Sequence, residues 1–252
     1  MVRRQDSARV GAMQTLVDTF GFTPLDIVAI TLFVATWLFY QRLLNLLGRR
    51  YRTINFTMKL VRRHWMQCMA KRDMRMADAA LLGHVMNSTS FFASTTVLVA
   101  AALVGAMASL DSMQPAIEGL DFTVKTSRAF FELKMALPLV VFVSGFFAFT
   151  WALRQFNYAI ALIGATPPPG QTDREEAEVL ADLTATVLSA GAESFNAGVR
   201  AYYFAAACLF WFGGPIAFMA SIVAIIWILL RRQISSHTAV AIRTEARKLT
   251  RY

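Results

Sequence analysis

The sequence predicts an all-α polytopic membrane protein with four transmembrane helices and amphipathic connector helices. Hydrophobic residues make up 56% of the 252 residues, and the mean hydropathy is +0.47. A water-soluble domain of this length carries more charge and interrupts its apolar runs sooner. Four runs in this chain are long enough to cross a bilayer, which takes about 20 apolar residues. We expect them to form a single membrane domain over residues 24–231.

The polar segments carry an excess of basic residues, with a formal net charge of +9. Beside apolar spans, this excess favours contact with anionic lipid headgroups over contact with nucleic acid, for which no motif is present. The N-terminal tail, residues 1–23, lacks the cleavage pattern of a signal peptide, so we expect the first span to be retained. Cys68 and Cys208 lie in a connector and in a span, so the sequence predicts no disulfide between them.

The first span is predicted at about residues 24–47, where Pro24 suits the first turn of a helix because it loses no needed hydrogen bond there. The connector that follows, about residues 50–80, contains a basic amphipathic helix. Its apolar face carries Ile54, Met58, Val61, Trp65 and Cys68, and Arg52, Lys59 and Arg63 lie roughly opposite. Such a helix either lies in the plane of the lipid headgroups or packs its apolar face on the protein's own spans.

The second span, about residues 87–110, has a polar first half and a second half rich in small residues. The polar residues are Asn87, Ser88, Thr89, Ser90, Ser94, Thr95 and Thr96, and the small ones at four-residue spacing are Ala101, Gly105 and Ser109. Small residues let helices approach closely in lipid, and hydroxyls hydrogen-bond across the contact. We therefore expect this span to be the most enclosed of the four. Its polar half either lines a hydrophilic path or makes ordinary helix–helix contacts.

The third span is predicted at about residues 133–154 and extends as a helix to residue 165, before the PPPG run at 167–170 ends it. An acidic amphipathic helix then follows at about 172–190. Thr172 and Glu175 fit a capping box at its start. We expect this helix to lie against the membrane-proximal body, where the basic connector is one candidate partner.

The fourth span is predicted at about residues 202–230, interrupted by Gly213, Gly214 and Pro215. Neighbouring helices or water can satisfy the carbonyls that such a break frees. A basic tail, residues 232–252, follows. Four spans place both termini on one side of the bilayer, and the 48–86 and 154–200 connectors on the other. Lys and Arg are equally frequent on the two sides, so only the basic connector, suited to an anionic leaflet, favours a cytoplasmic position for 48–86.

Several blocks of residues resemble one known family. They are WMQCM at 65–69 with KRD at 71–73, Asn87 with ASTT at 93–96, the stretch 148–157 with Arg154, and GVRAYYFA at 198–205 leading to Trp211, Gly214 and Pro215. On these residues the chain resembles the domain of unknown function 599 family from the first span to the fourth, and the block at 198–205 is the most specific. The resemblance implies a four-span membrane protein of bacteria and plants, and it brings no activity with it.

The sequence offers candidates for binding but none for catalysis. No catalytic motif is present and the three histidines have no metal-ligand spacing, so we predict no enzyme activity, no cofactor and no metal site. A softer cluster, which would suit Cu(I), is His64, Met66, Cys68, Met69, Met74 and Met76. Methionine is also a common filler of adaptable surfaces, which is the preferred interpretation here.

Polar residues near the spans are the better candidates, because charge inside a membrane is costly and usually has a reason. The candidates for binding an anionic headgroup or solute are Asn87, Arg154, Glu193, Asn196 and Arg200. The alternative is that Arg154 and Arg200 mark the membrane boundary and extend to the headgroups. The candidates for helix packing are Ala101, Gly105, Ser109, Gly213, Gly214 and Pro215.

Three functional hypotheses follow from these features. The first is a non-enzymatic membrane component, in a bacterial inner membrane, that forms a homo-oligomer or serves as a subunit of a larger complex. The second is a small oligomeric transporter or channel, which the polar half of the second span and the break at Gly213–Pro215 favour. The third, an enzyme acting on lipids, ranks last because no nucleophile–base pair or metal set is visible.

Overall fold

The computed structural model describes residues 22–171 and 173–249. These residues form eight α-helices and one short 3-10 helix, and no strand occurs among them. The α-helices are α1 (Pro24–Tyr51), α2 (Ile54–Ala70), α3 (Met76–Ala108), α4 (Leu110–Glu118), α5 (Arg128–Ala165), α6 (Arg174–Leu209), α7 (Pro215–Ile234) and α8 (His237–Leu249), with the 3-10 helix at Phe210–Gly213. The capping box predicted at Thr172 lies outside the described residues, as do most of the N-terminal tail and residues 250–252.

Four stretches are long and apolar enough to cross a membrane, which confirms the predicted fold class. They are Pro24–Gly48, Met76–Ala108, Arg128–Ala165 and Pro215–Lys248. The third of these stretches, helix α5, ends at Ala165, as predicted. With 38 residues it is about 57 Å long at 1.5 Å per residue, so it extends well beyond the roughly 30 Å hydrocarbon core.

The fourth span differs from the prediction over residues 202–230. Gly214 has a φ of +103°, which favours glycine, and Pro215 then begins α7. The Ser221 hydroxyl donates to the Ala207 carbonyl across 3.2 Å, a contact that 14 residues of straight helix, about 21 Å long, would not allow. Residues 202–209 therefore pack antiparallel to α7 as the first arm of a hairpin, and the predicted single interrupted span is wrong.

The C-terminal helix α8 packs against the basic connector helix α2. The guanidinium of Arg243 donates to the carbonyl of Tyr51 at 3.4 Å and to the carbonyl of Ala239 at 3.0 Å. The prediction that the C-terminal tail and the 48–86 connector lie on opposite sides is therefore wrong. The hairpin explains why the C-terminal tail lies beside the 48–86 connector. It reverses the direction of the chain once more than four simple spans would.

Helix α3 is the least enclosed of the four apolar stretches. In its most apolar 18-residue window 11% of the residues are buried, against 22 to 28% in the other three. We expected this span to be the most enclosed of the four. For a single copy of the chain that expectation is wrong. Small residues indicate that a helix makes close contacts, but they do not say which chain provides the partner.

The chain divides into two compact units, each with its own core; the single membrane domain over 24–231 stays a prediction. The first unit comprises Met1–Tyr40, Val99–Phe142 and Tyr202–Ile226. Aromatic rings form its core: the rings of Phe33 and Phe218 are 5.4 Å apart, and Trp211 stacks on Phe218 at 5.1 Å. These aromatic rings pack around the hairpin turn, and their packing fixes its position.

The second unit comprises Gln41–Leu98, Val143–Ala201 and Trp227–Tyr252. Its core joins α2, α3, α5 and α6 through Met66, Met69, Leu82, Phe156 and Leu188, together with small alanines. Met66 and Met69 are fully buried, whereas the apolar face predicted from the sequence is half-buried. Helix α2 packs on α6 and α8. Of the two positions predicted for this helix, the structure therefore supports packing against the protein's own helices rather than a position in the plane of the lipid headgroups.

Candidate functional site

Ion pairs join the basic helix α2 to the acidic half of α6. Lys59 Nζ lies 2.5 Å from Glu193 Oε1, and the Arg63 guanidinium donates to both carboxylate oxygens of Asp182, with 2.7 Å from Nε to Oδ1. Gln67 Nε2 also donates to Asp182 Oδ1, at 3.1 Å. The acidic helix thus contacts the basic connector, the partner that the sequence offered as a candidate.

Two adjoining cavities open along this contact. One, of about 560 Å³, is lined by both ion pairs and by the hydroxyls of Thr186 and Ser189. The other, of about 300 Å³, lies where α1 and α2 meet and includes Asn45, Thr53 and Asn55. Lys59 and Glu193 line both cavities, so this ion pair forms the boundary between them. We refer to the two cavities together as the α2–α6 groove.

A small amide network closes one end of the groove. Asn196 Nδ2 and Gln233 Nε2 both donate to Asn55 Oδ1, at 3.3 Å and 3.4 Å. The backbone N–H of Asn55 donates in return to Gln233 Oε1 at 3.3 Å. The network ties α2 to α6 and to the end of α7, and it gives Asn196 a structural role at this position.

The charged side chains that line the groove form two ion pairs. Hydrogen bonding to Asp182 raises the pKa of Arg63, and the same contact lowers the pKa of Asp182. Burial lowers the pKa of Arg62, while the carboxylate of Glu193 raises it. Lys59 and Arg63, the two cations that line the groove, each have a carboxylate beside them, so an incoming anion would compete with Glu193 or Asp182.

The structure brings together two of the five predicted binding residues, Glu193 and Asn196. Arg200 is half-buried on the same helix, whereas Asn87 on α3 and Arg154 on α5 are exposed and do not line the groove. Among the packing candidates, Ala101 and Gly105 are exposed on α3, and Ser109 is exposed just after the end of this helix. Gly213, Gly214 and Pro215 form the hairpin turn.

The methionine-rich cluster does not share one environment. Met66 and Met69 are in the core of the second unit, whereas Met74 and Met76 are about three-quarters exposed. His64 Nε2 and Cys68 Sγ are 3.4 Å apart. In the part of the chain that the structure describes, no group of three or more His, Cys, Asp or Glu residues is placed to hold a metal ion.

Sequence reasoning missed two buried acidic residues at the starts of spans. Asp26 and Asp78 are each almost fully buried, and each accepts a hydrogen bond from a tryptophan, Trp211 and Trp65 respectively. Lys134, near the start of α5, is also buried, with its Nζ 4.6 Å from the ring centroid of Phe130. One feature of the sequence could have identified these residues: each is a charged residue within the first turns of an apolar run.

Comparison with known proteins identifies a family but no characterised relative. The model of a family described as "Protein of unknown function, DUF599" matches residues 28–238. No curated protein and no solved structure matches the chain. The match extends from within α1 to the start of α8 and includes the residues that line the groove.

Proposed function

Because the chain belongs to the DUF599 family of proteins of unknown function, we propose that it is a non-enzymatic membrane component that associates with copies of itself through one face of α3. The observation that carries the proposal is the exposure of Ala101 and Gly105 on α3 and of Ser109 directly after it. Apart from the neighbouring backbone of α3 itself, no described atom lies within 4 Å of a Cβ built on Gly105. The small residues that allow close helix contact thus have no partner helix among the described residues.

The same helix carries polar side chains that lipid would not satisfy. Asn87, Ser90 and Ser94 are exposed, and none of them makes a side-chain hydrogen bond with another described residue. At about 100° per residue, Asn87, Ser94, Ala101 and Gly105 fall within a strip of about 40° on α3. We call this strip the α3 face. Burying the polar side chains of this face in lipid hydrocarbon costs free energy, because hydrocarbon offers them no hydrogen bonds. The small residues of the face gain little from contact with lipid tails.

A second copy of this chain suits the α3 face better than an unrelated partner. Two copies with the same topology lie parallel in a bilayer, so a two-fold axis along the membrane normal sets each residue of the face opposite its own counterpart. Asn87 then faces Asn87, whose amide both donates and accepts hydrogen bonds. Gly105 faces Gly105, where two backbones can approach closely.

Native mass spectrometry of protein extracted gently from its own membrane tests this proposal. Gly105→Leu should shift the complex to monomers. The matched control is Gly164→Leu on α5, because Gly164 is also an exposed helical glycine with open space around its Cβ. It should leave the oligomer intact. Wild-type protein that is monomeric, or equal effects of the two variants, would contradict self-association through α3, and stoichiometric foreign subunits would make the chain part of a mixed complex.

A small oligomeric transporter is the alternative, and the polar half of α3 favours it. In an oligomer, Asn87, Ser90 and Ser94 would line a path between copies instead of forming contacts. The hairpin turn weakens this alternative, because Gly213–Pro215 does not interrupt a span. Solute flux in sealed vesicles that disappears with Ser94→Leu would support transport, whereas flux equal to that of empty vesicles would exclude it for the solutes tried.

The proposal includes a membrane orientation in the bacterial inner membrane. Since α8 contacts α2, we infer that the basic tail and the 48–86 connector share one side. That side then carries the nine Lys and Arg of 48–86 and the six from Arg231 onwards, against three in the N-terminal tail and three in 111–134. The positive-inside rule assigns it to the cytoplasm. A reporter fused to the C-terminus should therefore be active only if it functions in the cytoplasm.

A further inference from the structure

We propose that a cavity at the start of α3 binds a phospholipid whose headgroup carries both a phosphate and a primary ammonium. The cavity has a volume of about 450 Å³ and is lined by Trp65, Arg72, Ala77, Asp78, Leu81 and Val85. It lies outside the α2–α6 groove and the α3 face. The inference therefore stands independently of self-association.

An unsatisfied carboxylate oxygen indicates what the cavity lacks. Asp78 is 1% exposed. Its Oδ1 accepts from Trp65 Nε1 and from Arg72 Nη1, both at 2.7 Å, whereas its buried Oδ2 has no hydrogen-bond partner among the described residues. A buried charged oxygen without a donor is costly. A ligand that supplies an N–H or O–H group at Oδ2 removes this cost.

Arg72 supplies the complementary charge at the cavity. Its side chain is 49% exposed, and Nη1 is the one guanidinium nitrogen that makes a hydrogen bond with a described residue. A guanidinium has five N–H donors, so the remaining donors can bind a phosphate oxygen. Asp78 and Arg72 together are neutral, and a neutral zwitterionic headgroup complements them better than one with a net charge.

The apolar wall of the cavity points to a lipid as the carrier of this headgroup. Leu81 and Val85 follow Asp78 on the same helix and are 55% and 41% exposed. Helix α3 is apolar enough to span a membrane, so these side chains continue from the polar end of the cavity along a lipid-facing helix. An acyl chain can lie on this wall while the headgroup reaches Asp78 and Arg72.

The hydrogen-bond requirement discriminates among headgroups. An ethanolamine headgroup has an ammonium whose N–H groups can donate to Asp78 Oδ2 in a charge-assisted bond. A choline headgroup has the same charge but no N–H group. A glycerol headgroup has hydroxyl donors but leaves the lipid with a net negative charge. The site should therefore prefer phosphatidylethanolamine over both of the others.

Lipid retention by the delipidated full-length protein in detergent tests the proposal. Phosphatidylethanolamine, phosphatidylcholine and phosphatidylglycerol with identical acyl chains are added at equal concentrations, and bound lipid is counted by native mass spectrometry. We expect about tenfold tighter retention of phosphatidylethanolamine than of phosphatidylcholine. Equal retention of the two would overturn the proposal, because Oδ2 would then be satisfied by water. Stronger retention of phosphatidylglycerol would overturn it as well.

Two variants locate the preference in this cavity. Asp78→Asn keeps the shape and an acceptor for Trp65, but it replaces the unpaired oxygen, so the preference for ethanolamine should disappear. Leu81→Trp fills the apolar wall and keeps Trp65 and Arg72, the two residues that donate to Asp78, and it should reduce retention whatever the headgroup. The matched control is Leu98→Trp, at a leucine that is 70% exposed on the same helix. A preference that survives both Asp78→Asn and Leu81→Trp would overturn the assignment.

Discussion

The indole Nε1 of Trp211 donates a hydrogen bond of 2.9 Å to Oδ1 of Asp26, and both side chains are buried. The other carboxylate oxygen, Oδ2, accepts from the backbone N–H and the hydroxyl of Thr23, at 3.0 Å and 2.6 Å. Asp26 thus ties the start of α1 to the turn of the α6–α7 hairpin. Its satisfied oxygens contrast with the unpaired oxygen of Asp78.

Replacing Asp26 should destabilise the first unit. Asp26→Ala leaves the indole N–H of Trp211 buried without an acceptor, so we expect a loss of about 2–3 kcal/mol in the free energy of unfolding. Equilibrium unfolding in a denaturing detergent measures it. Asp111→Ala is the control, because Asp111 forms an ion pair with Arg128 but its side chain is 84% exposed. It should cost less than about 1 kcal/mol. Equal losses would contradict the importance of the buried contact.

Gly198 should be intolerant of even one added methyl group. A Cβ at this position would lie 2.6 Å from the ring of Phe149, so Gly198→Ala should destabilise by about 1–3 kcal/mol through overpacking. Gly164→Ala, at a helical glycine with open space around it, should instead stabilise by about 0.5–1 kcal/mol. Thermal unfolding compares the two variants. Adding Phe149→Leu to Gly198→Ala should recover stability, and a failure to do so would argue against this packing.

The pair of Lys59 and Glu193 should behave as a modest, salt-sensitive link between α2 and α6. Glu193→Lys sets two ammonium groups against each other, and adding Lys59→Glu restores opposite charges. Because the Lys59 side chain is half exposed, a double-mutant cycle should give a coupling energy of about 0.2–1 kcal/mol. The coupling should decline in high salt. A swapped pair as unstable as Glu193→Lys alone would show that geometry, not charge, dominates.

Asp182 should make the second unit sensitive to acid. Hydrogen bonding from Arg63 lowers the pKa of Asp182 below its ordinary value of 3.8. A depressed pKa in the folded state contributes stability that is complete above the unfolded pKa and is lost as the pH falls through the folded pKa. The stability difference between the wild type and Asp182→Asn should therefore be constant above about pH 5 and shrink below about pH 4. A difference that grows on acidification would contradict this sign.

The fold was predictable where a single segment carries its own signal. Apolar length predicted that the first three spans exist, but α3 begins at Met76, before the start predicted for the second span at about residue 87. The PPPG run predicted the end of α5 after Ala165. The reversal at Gly214 was not recognised, because residues 202–209 are as apolar as α7 and hydropathy does not record direction. The Gly214–Pro215 pair was noticed, but a break within a span and a turn between two helices share this signal.

The candidate site was less predictable, because it depends on tertiary pairing. The charges of Lys59 and Glu193 were both recognised, yet they lie far apart in the chain and no local pattern links them. Asp78 lies just after a charged loop, in the first turn of a helix. An acidic residue at such a position is expected to be exposed to solvent and to interact favourably with the helix dipole. Its burial comes from Trp65 and Arg72, which pack over it, and spacing alone does not reveal that contact.

Disulfide cross-linking in native membranes tests self-association through α3. Ser94→Cys and Gly105→Cys are introduced separately into a chain lacking Cys68 and Cys208, the two native cysteines. The control is Phe147→Cys on α5, where the native side chain is 63% exposed. We expect covalent dimers on mild oxidation at positions 94 and 105 and none at 147. Monomers at all three positions, or equal dimer yields at all three, would contradict it.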